Sequence, residues 1–290
     1  MRSFDPEVLK SIYIPPKDAH KPQNGAVMLI GGSHLFHAAS LWSLTVISRI
    51  VDMTFYSSVE ENNELVKKTK EEFRNGIVVP RNRIDDYIND ADVVLIGPGL
   101  PREAGLEKGD DNTKELTERL LKKYPDKKWV IDGGSLQTMD PEILLGLKAM
   151  PILTPHKKEF EKLFNFQLPI FNFQSNPNEL NEQIQNSVGA MAKKYNCVIL
   201  LKGEKDIVCS PEETVLVSGG NAGMTKGGTG DVLAGLVAAL YAKNEAFLSA
   251  TAASYLNKKA GESLFERVGY YFNASDLADE IPKVMKEVIL

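Results

Sequence analysis

The amino-acid sequence predicts an α/β domain of three layers, with helices on both faces of a mainly parallel sheet. Short apolar runs at 27–30, 53–56, 93–96, 129–131, 152–153 and 198–201 alternate with longer amphipathic segments. The runs are continuously apolar, as strands are when both faces of their sheet are covered. Strand–helix alternation then implies right-handed crossovers joining parallel neighbours. A chain of 290 residues, 43% hydrophobic and 25% charged, can bury the large core this requires. The whole of 1–290 reads as a single domain, with no internal repeat.

Residues 1–22, with Pro15, Pro16 and Pro22, read as an extended lead-in. The first strand, 27–30, runs into Gly31, Gly32 and Ser33, and a helix over 39–50 follows. Strand 53–56 and a helix over 62–74 come next. Strand 93–96 ends in Gly97, Pro98 and Gly99, a tight turn that also lets a ligand approach the backbone, ahead of a helix over 112–124. Strand 129–131 leads to Asp132, Gly133 and Gly134, and 152–153 leads to Thr154, Pro155 and His156. In the helix over 157–165, Phe160, Leu163 and Phe164 recur at helical spacing and belong to the core. "NFQLPIFNFQSNPNEL" is an irregular excursion before a helix over 181–195. Strand 198–201 ends in Lys202 and Gly203, and "DIVCSPEETVLVSGG" reads as a β-hairpin turning at "SPEE". Helices over 231–242, 246–266 and 275–288 follow. Ligands of open α/β sheets bind beyond the carboxyl ends of the strands, which is where these glycine and polar clusters fall.

Composition narrows the function further. A formal net charge of -5 argues against a general grip on nucleic acid, which needs a basic stripe. Cys197 and Cys209 sit in apolar, strand-like contexts without C-x-x-C spacing and read as reduced core residues. The N-terminus lacks a signal-peptide apolar stretch, and no run approaches the roughly 18 apolar residues of a membrane span. A cytoplasmic location, with no membrane partner, is the expectation.

The chemistry concentrates in "GGNAGMTKGGTGDVLAGLVAAL", residues 219–240. Gly227, Gly228, Thr229, Gly230 and Asp231 immediately precede apolar residues at helical spacing. Unpaired N–H groups and the positive end of the dipole make such a helix start an anion site. Thr229 is expected to add a hydroxyl donor. A carboxylate at Asp231 would repel a bound phosphate, so its most useful role is as a base, taking a proton from a hydroxyl while the N–H groups hold a transferring phosphoryl group. The structural alternative makes Asp231 a helix cap and the glycines a tight turn. No Walker A sequence occurs, and the stretch stands too late in the chain for a Rossmann fingerprint.

"GNAGMTKGGTGDVLAG" closely resembles the signature of the NAD(P)H-hydrate dehydratase family, within the ribokinase-like superfamily. "VMLIGGSHLF", "VVLIGPGL", "ILTPHKKEFEKLF", "VILLKGEKDIV" and "FNASDLADEIP" look like further family blocks in the family's order, from about residue 20 to the C-terminus. The resemblance implies a ribokinase-like fold with its small hairpin near a nucleotide site. It also implies repair of hydrated nicotinamide cofactor, NADHX or NADPHX: ADP or ATP phosphorylates the ring hydroxyl, and elimination of phosphate restores the ring. Asp231 matches the family's catalytic acid/base position, and Gly228, Thr229 and Gly230 its anion hole. Ala39, Gly99, His156 and Asp231 fall where the family contacts the hydrated dinucleotide. Lys202, Gly203, Glu204, Lys205, Asp206 and Gly230 fall where it contacts adenine nucleotide, while Asn221 and Gly223 shape the nucleotide loop. Mg²⁺ is implied as the nucleotide's partner, and a homo-oligomer is expected because relatives with this fold commonly assemble. Two positions depart from the family pattern: Ala38 replaces a glycine, and Gly134 replaces a second acid after the retained Asp132.

Several residues carry two readings. His156 is either a dinucleotide contact or a hydrogen-bonder at a helix start. Glu159 either organises Mg²⁺ through water or complements a helix N-terminus. Lys202 and Lys226 are either phosphate neighbours or solvated cations, and Asp132 is a supporting acid or a turn residue. His34, His37 and His156 lack the spacing of a zinc site. Two other functions compete: a small-molecule kinase acting on a thiazole, pyrimidine or sugar alcohol, and a nucleotide-binding sensor without turnover. About twenty residues precede the first strand, too few for the epimerase domain often fused to this family. The chain is therefore expected to act on one epimer and to depend on a separate epimerase or on spontaneous interconversion.

Overall fold

A computed structural model describes residues 2–68, 76–102, 107–169 and 177–290. Its centre is a nine-stranded sheet in the order β3-β2-β1-β4-β5-β6-β7-β8-β9. The strands are β1 (Ala26–Ile30), β2 (Met53–Ser57), β3 (Ile77–Val78), β4 (Val93–Ile96), β5 (Lys128–Ile131), β6 (Ile152–Leu153), β7 (Val198–Leu201), β8 (Asp206–Cys209) and β9 (Thr214–Val217). All pairings up to β6–β7 are parallel, while β7–β8 and β8–β9 are antiparallel, so the hairpin extends the sheet at one edge.

Burial on both faces explains the continuous apolar strands. Val27 and Leu29 enter one core with α1 (His37–Ile47), α8 (Thr229–Tyr241), α9 (Ala246–Val268) and α10 (Ala274–Ile289). Met28 and Ile30 enter the other, with α3 (Ile84–Ile88), α4 (Thr113–Lys123), α5 (Gly133–Thr138), α6 (Lys157–Phe164) and α7 (Pro177–Tyr195). The helix α8 is buried along nearly its whole circumference, packed against α1 and α9, which is why its sequence is apolar all round.

Some expectations are corrected. The lead-in is not wholly extended: residues Pro6–Ser11 form a 3-10 turn capped by Asp5, which buries Leu9. The strand β3 and the short helices α3 and α5 are additional to the sequence reading. The helix expected over 62–74 is α2 (Glu60–Lys68); its remaining positions, 69–74, lie outside the described residues, as do 170–176 of the irregular excursion. Among the described residues no helix is long and apolar enough to cross a membrane.

Candidate active site

The glycine-rich stretch enters α8 through Gly228, whose φ of 97° is left-handed. A side chain there would be strained twice over, because a Cβ would also fall 2.5 Å from the Trp42 ring. The first intrahelical bond runs from Val232 N–H to the Gly228 carbonyl (3.0 Å), and no acceptor takes the N–H groups of Gly228 or Gly230 among the described residues. These donors, with the helix dipole, leave an anion-binding mouth. Ser43 Oγ, on α1, donates to the Asp231 carbonyl (2.7 Å) and fixes the first turn of α8.

Thr229 departs from its expected role. Its hydroxyl donates to the Met224 carbonyl (2.7 Å), with the Lys226 carbonyl 3.0 Å away, so it braces the loop instead of facing a ligand. Lys226 is neither phosphate-facing nor freely solvated: its ammonium bonds the carbonyls of Tyr270 and Phe272, tying the loop to the α9–α10 connection.

Charge gathers behind the mouth. Asp132, at the end of β5, is buried and accepts from Thr154 Oγ1 (2.8 Å) and Lys202 Nζ (2.9 Å). Lys202, following β7, also lies 3.9 Å from Glu159. Burial works against the Lys202 ammonium, but Asp132 and Glu159 more than offset it and its pKa is raised. A Cβ on Gly230 would stand 3.4 Å from Lys202 Nζ, so an anion at the α8 mouth would feel that ammonium. The Asp231 carboxyl is pushed up to about 7, first by burial and then by the Asp132 carboxylate, with Lys202 pulling the other way. Carboxylates outnumber the lysine here, and Asp231 is the group that yields.

His156 caps α6. Its Nδ1 accepts from Glu159 N–H (3.2 Å), and Glu159 Oε2 accepts from His156 N–H (2.9 Å), a reciprocal capping box. Glu159 is buried, and its Oε1 accepts from Gln137 (3.0 Å). The backbone of His156 bridges that of Lys202, which brings the histidine beside the charged cluster. His34 pairs instead with Asp110 (2.7 Å), and no group of three His, Cys, Asp or Glu gathers to hold a metal among the described residues.

Ala39 and Gly99 meet on the α1 side: a Cβ on Gly99 would come within 3.0 Å of the Ala39 Cβ. Ala39 lies one turn before Ser43 on α1, the residue that holds the Asp231 carbonyl. The departures have local reasons. Ala38 occupies ordinary backbone in the first turn of α1. Gly134 packs so closely on the Leu100 backbone that no side chain fits, which excludes the second acid.

On the other side of Gly230 opens a cavity of about 830 Å³. Lys202, Gly203, Glu204, Lys205, Asp206, Asn221 and Gly230 all line it. Asp206 turns its carboxylate inward, accepting from Gly203 N–H (2.9 Å) and Ser254 Oγ (2.7 Å) with Lys258 Nζ at 3.3 Å, and so shapes the loop. Asn221 donates to the Gly261 carbonyl (2.7 Å) and caps the turn that contains Gly223. Sequence reasoning missed the back wall, formed by α9 through Asn257 and Lys258. Its signal was a large polar pair among the small and apolar residues that α9 buries.

The family model for NAD(P)H-hydrate dehydratase matches residues 27–283. An ADP-dependent (S)-NAD(P)H-hydrate dehydratase of Nitrosopumilus maritimus is 34% identical over 94% of this chain and 93% of its own. A bifunctional NAD(P)H-hydrate repair enzyme of Methanocaldococcus jannaschii is 34% identical over 96% of this chain and 51% of its own, so the chain spans about half the length of that relative. In structure, the ADP/ATP-dependent NAD(P)H-hydrate dehydratase of Bacillus subtilis, co-crystallised with ATP and Mg²⁺, has a TM-score of 0.77 at 21% identity, covering 99% of this chain and 98% of that one. Matched by the family model over most of its length, and by a full-length relative in Nitrosopumilus, the chain belongs to the NAD(P)H-hydrate dehydratase family.

Proposed function

We propose that the chain dehydrates hydrated NAD(P)H at the expense of ADP or ATP. The observation that carries this reading is Asp231, a half-buried carboxyl pushed up to about 7 in the first turn of a helix whose Gly228 and Gly230 N–H groups are free among the described residues. The neighbouring Gly230 lines the cavity shared with Lys202 to Asp206, and Ser43, one turn along α1 from Ala39, holds the Asp231 backbone carbonyl. The nucleotide lies in the cavity with its terminal phosphate at Gly228 and Gly230, and the hydrated ring lies beside Ala39, Gly99 and His156. Asp231 takes the proton of the ring hydroxyl as its oxygen bonds to phosphorus and the bond to the nucleotide breaks. The C–O bond then breaks, phosphate leaves with the bonding pair, and loss of a ring proton restores the double bond. Free N–H groups stabilise the charge on the phosphoryl oxygens in both steps.

Mg²⁺, when bound, neutralises phosphate charge. Among the described residues no cluster gathers to hold it, so the nucleotide's phosphates would be its main ligands. Glu159, whose oxygens already accept from Gln137 and the His156 N–H, would hold it through water. The (S) epimer is the proposed substrate, after the activity named for the Nitrosopumilus relative.

The test is recovery of near-ultraviolet absorbance from hydrated NADH with Mg²⁺ and ADP or ATP. Recovery that depends on the chain, and falls about 10²- to 10⁴-fold in Asp231→Asn, is expected. A stable phosphorylated product without recovered absorbance would instead mark a small-molecule kinase.

A further inference from the structure

The face that α9 turns toward the cavity is tied to neighbouring groups at three positions. Ser254 donates to Asp206 (2.7 Å), Lys258 donates to the carbonyls of Gly203 (3.2 Å) and Glu204 (3.0 Å), and the Gly261 carbonyl accepts from Asn221 (2.7 Å). Asn257 stands among them, 5% exposed, and lines the same cavity. Its side-chain oxygen has no hydrogen-bond partner among the described residues. Buried amide oxygens in folded proteins almost always find a donor, so an orphan on a cavity-lining residue marks a place where a turn of the amide lets a ligand complete the pairing.

The surroundings say what kind of ligand group that is. Leu233, Met224 and Ala222 line the cavity with Asn257, an apolar setting suited to a flat heteroaromatic ring. The phosphates belong elsewhere, at the free N–H groups of Gly228 and Gly230. A carboxamide matches the edge of adenine: its oxygen accepts from the exocyclic amine while its NH₂ donates to the adjacent ring nitrogen. Read on the N7 side, a 6-oxopurine offers two acceptors in place of adenine's donor and acceptor, so the carboxamide keeps at most one of the two bonds whichever way it is turned.

We propose that Asn257 reads the base of the nucleotide co-substrate and selects adenine over a 6-oxopurine, an inference that rests on the nucleotide-dependent reading above. Calorimetric titration of ADP and inosine diphosphate into the native chain, Asn257→Leu and Asn257→Asp tests it. The native chain is expected to prefer ADP by roughly 10- to 100-fold. Asn257→Leu brings the two affinities within about threefold, chiefly by weakening ADP. This variant also removes the orphaned acceptor, so its thermal midpoint stays level or rises. Asn257→Asp, which keeps an acceptor but loses the donor, also weakens ADP. An ADP preference that persists in both variants, or a native chain that binds both nucleotides equally, overturns the role of Asn257 alone. A native chain that binds neither ADP nor ATP overturns the nucleotide-dependent reading as well.

Discussion

The Asp231 carboxyl titrates at about 7 against an ordinary 3.8, so the folded chain holds that proton more tightly than the unfolded chain does. The stability this gives is complete below the ordinary carboxyl range and is lost as pH rises through about 7. Asparagine cannot ionise, so Asp231→Asn should raise the urea midpoint more at pH 8 than at pH 5, even as activity collapses. A base must also be ionised to work, so the native rate should rise with pH through a limb near 7. Lys202 sets where that limb falls. Lys202→Met leaves the buried Asp132 carboxylate without its partner at 2.9 Å. The loss should be roughly 2–4 kcal/mol in urea unfolding, below the range for a fully buried pair because the Lys202 side chain keeps 19% exposure. Because Lys202 also pulls the Asp231 pKa down, the same variant should move the acid limb to higher pH. A stability loss with an unmoved limb would separate Lys202 from the chemistry.

Elements position this cluster, and at α6 the residue proposed to contact substrate is also the helix cap. The His156 ring holds the Glu159 N–H, and Glu159 holds the His156 N–H in return. Asparagine also caps helices well, so His156→Asn should hold thermal stability within about 0.5 kcal/mol while His156→Ala loses about 1 kcal/mol. If the ring also contacts substrate, both variants raise KM alike; if only the cap matters, His156→Asn behaves as native. The cap alone accounts for a histidine at this helix start, so the sequence left both readings of His156 open. Strands were legible because each is buried on both faces, so Val27 to Ile30 announce themselves without context. The strand β3 was not, being two residues on the sheet edge that pair only with β2. The helix α5 was hidden by opening on Gly133 and Gly134, and Thr229 was misassigned because its partners, the Met224 and Lys226 carbonyls, exist only once the loop closes. Periodicity located α9 but could not tell that Asn257 and Lys258 line the cavity, with Lys258 on the loop between β7 and β8, since that face is set by the neighbouring sheet.

At the scale of the molecule, a formal net charge of -5 repels an anionic nucleotide, so attraction has to be local. It comes from the α8 mouth and Lys202, backed by loops that follow β5, β6 and β7 at the carboxyl ends of the sheet. No part of the chain holds this site by itself; it exists only when the parallel strands and α8 are assembled together. Nucleotide binding therefore couples to folding of the sheet as a whole, and ligand at about 100 times its Kd adds roughly 2.7 kcal/mol. For a chain of 290 residues that corresponds to a rise in Tm of roughly 4–5 °C. Differential scanning calorimetry with ADP and Mg²⁺ should show a single transition moving up by that amount. In Gly228→Ala, where φ and the Trp42 ring both oppose a side chain, the starting Tm should fall and the ADP-induced rise should shrink or vanish. The two effects are separable, because strain alone lowers the starting point and leaves the ligand shift intact. A ligand shift of native size in that variant would place the phosphate somewhere other than the start of α8.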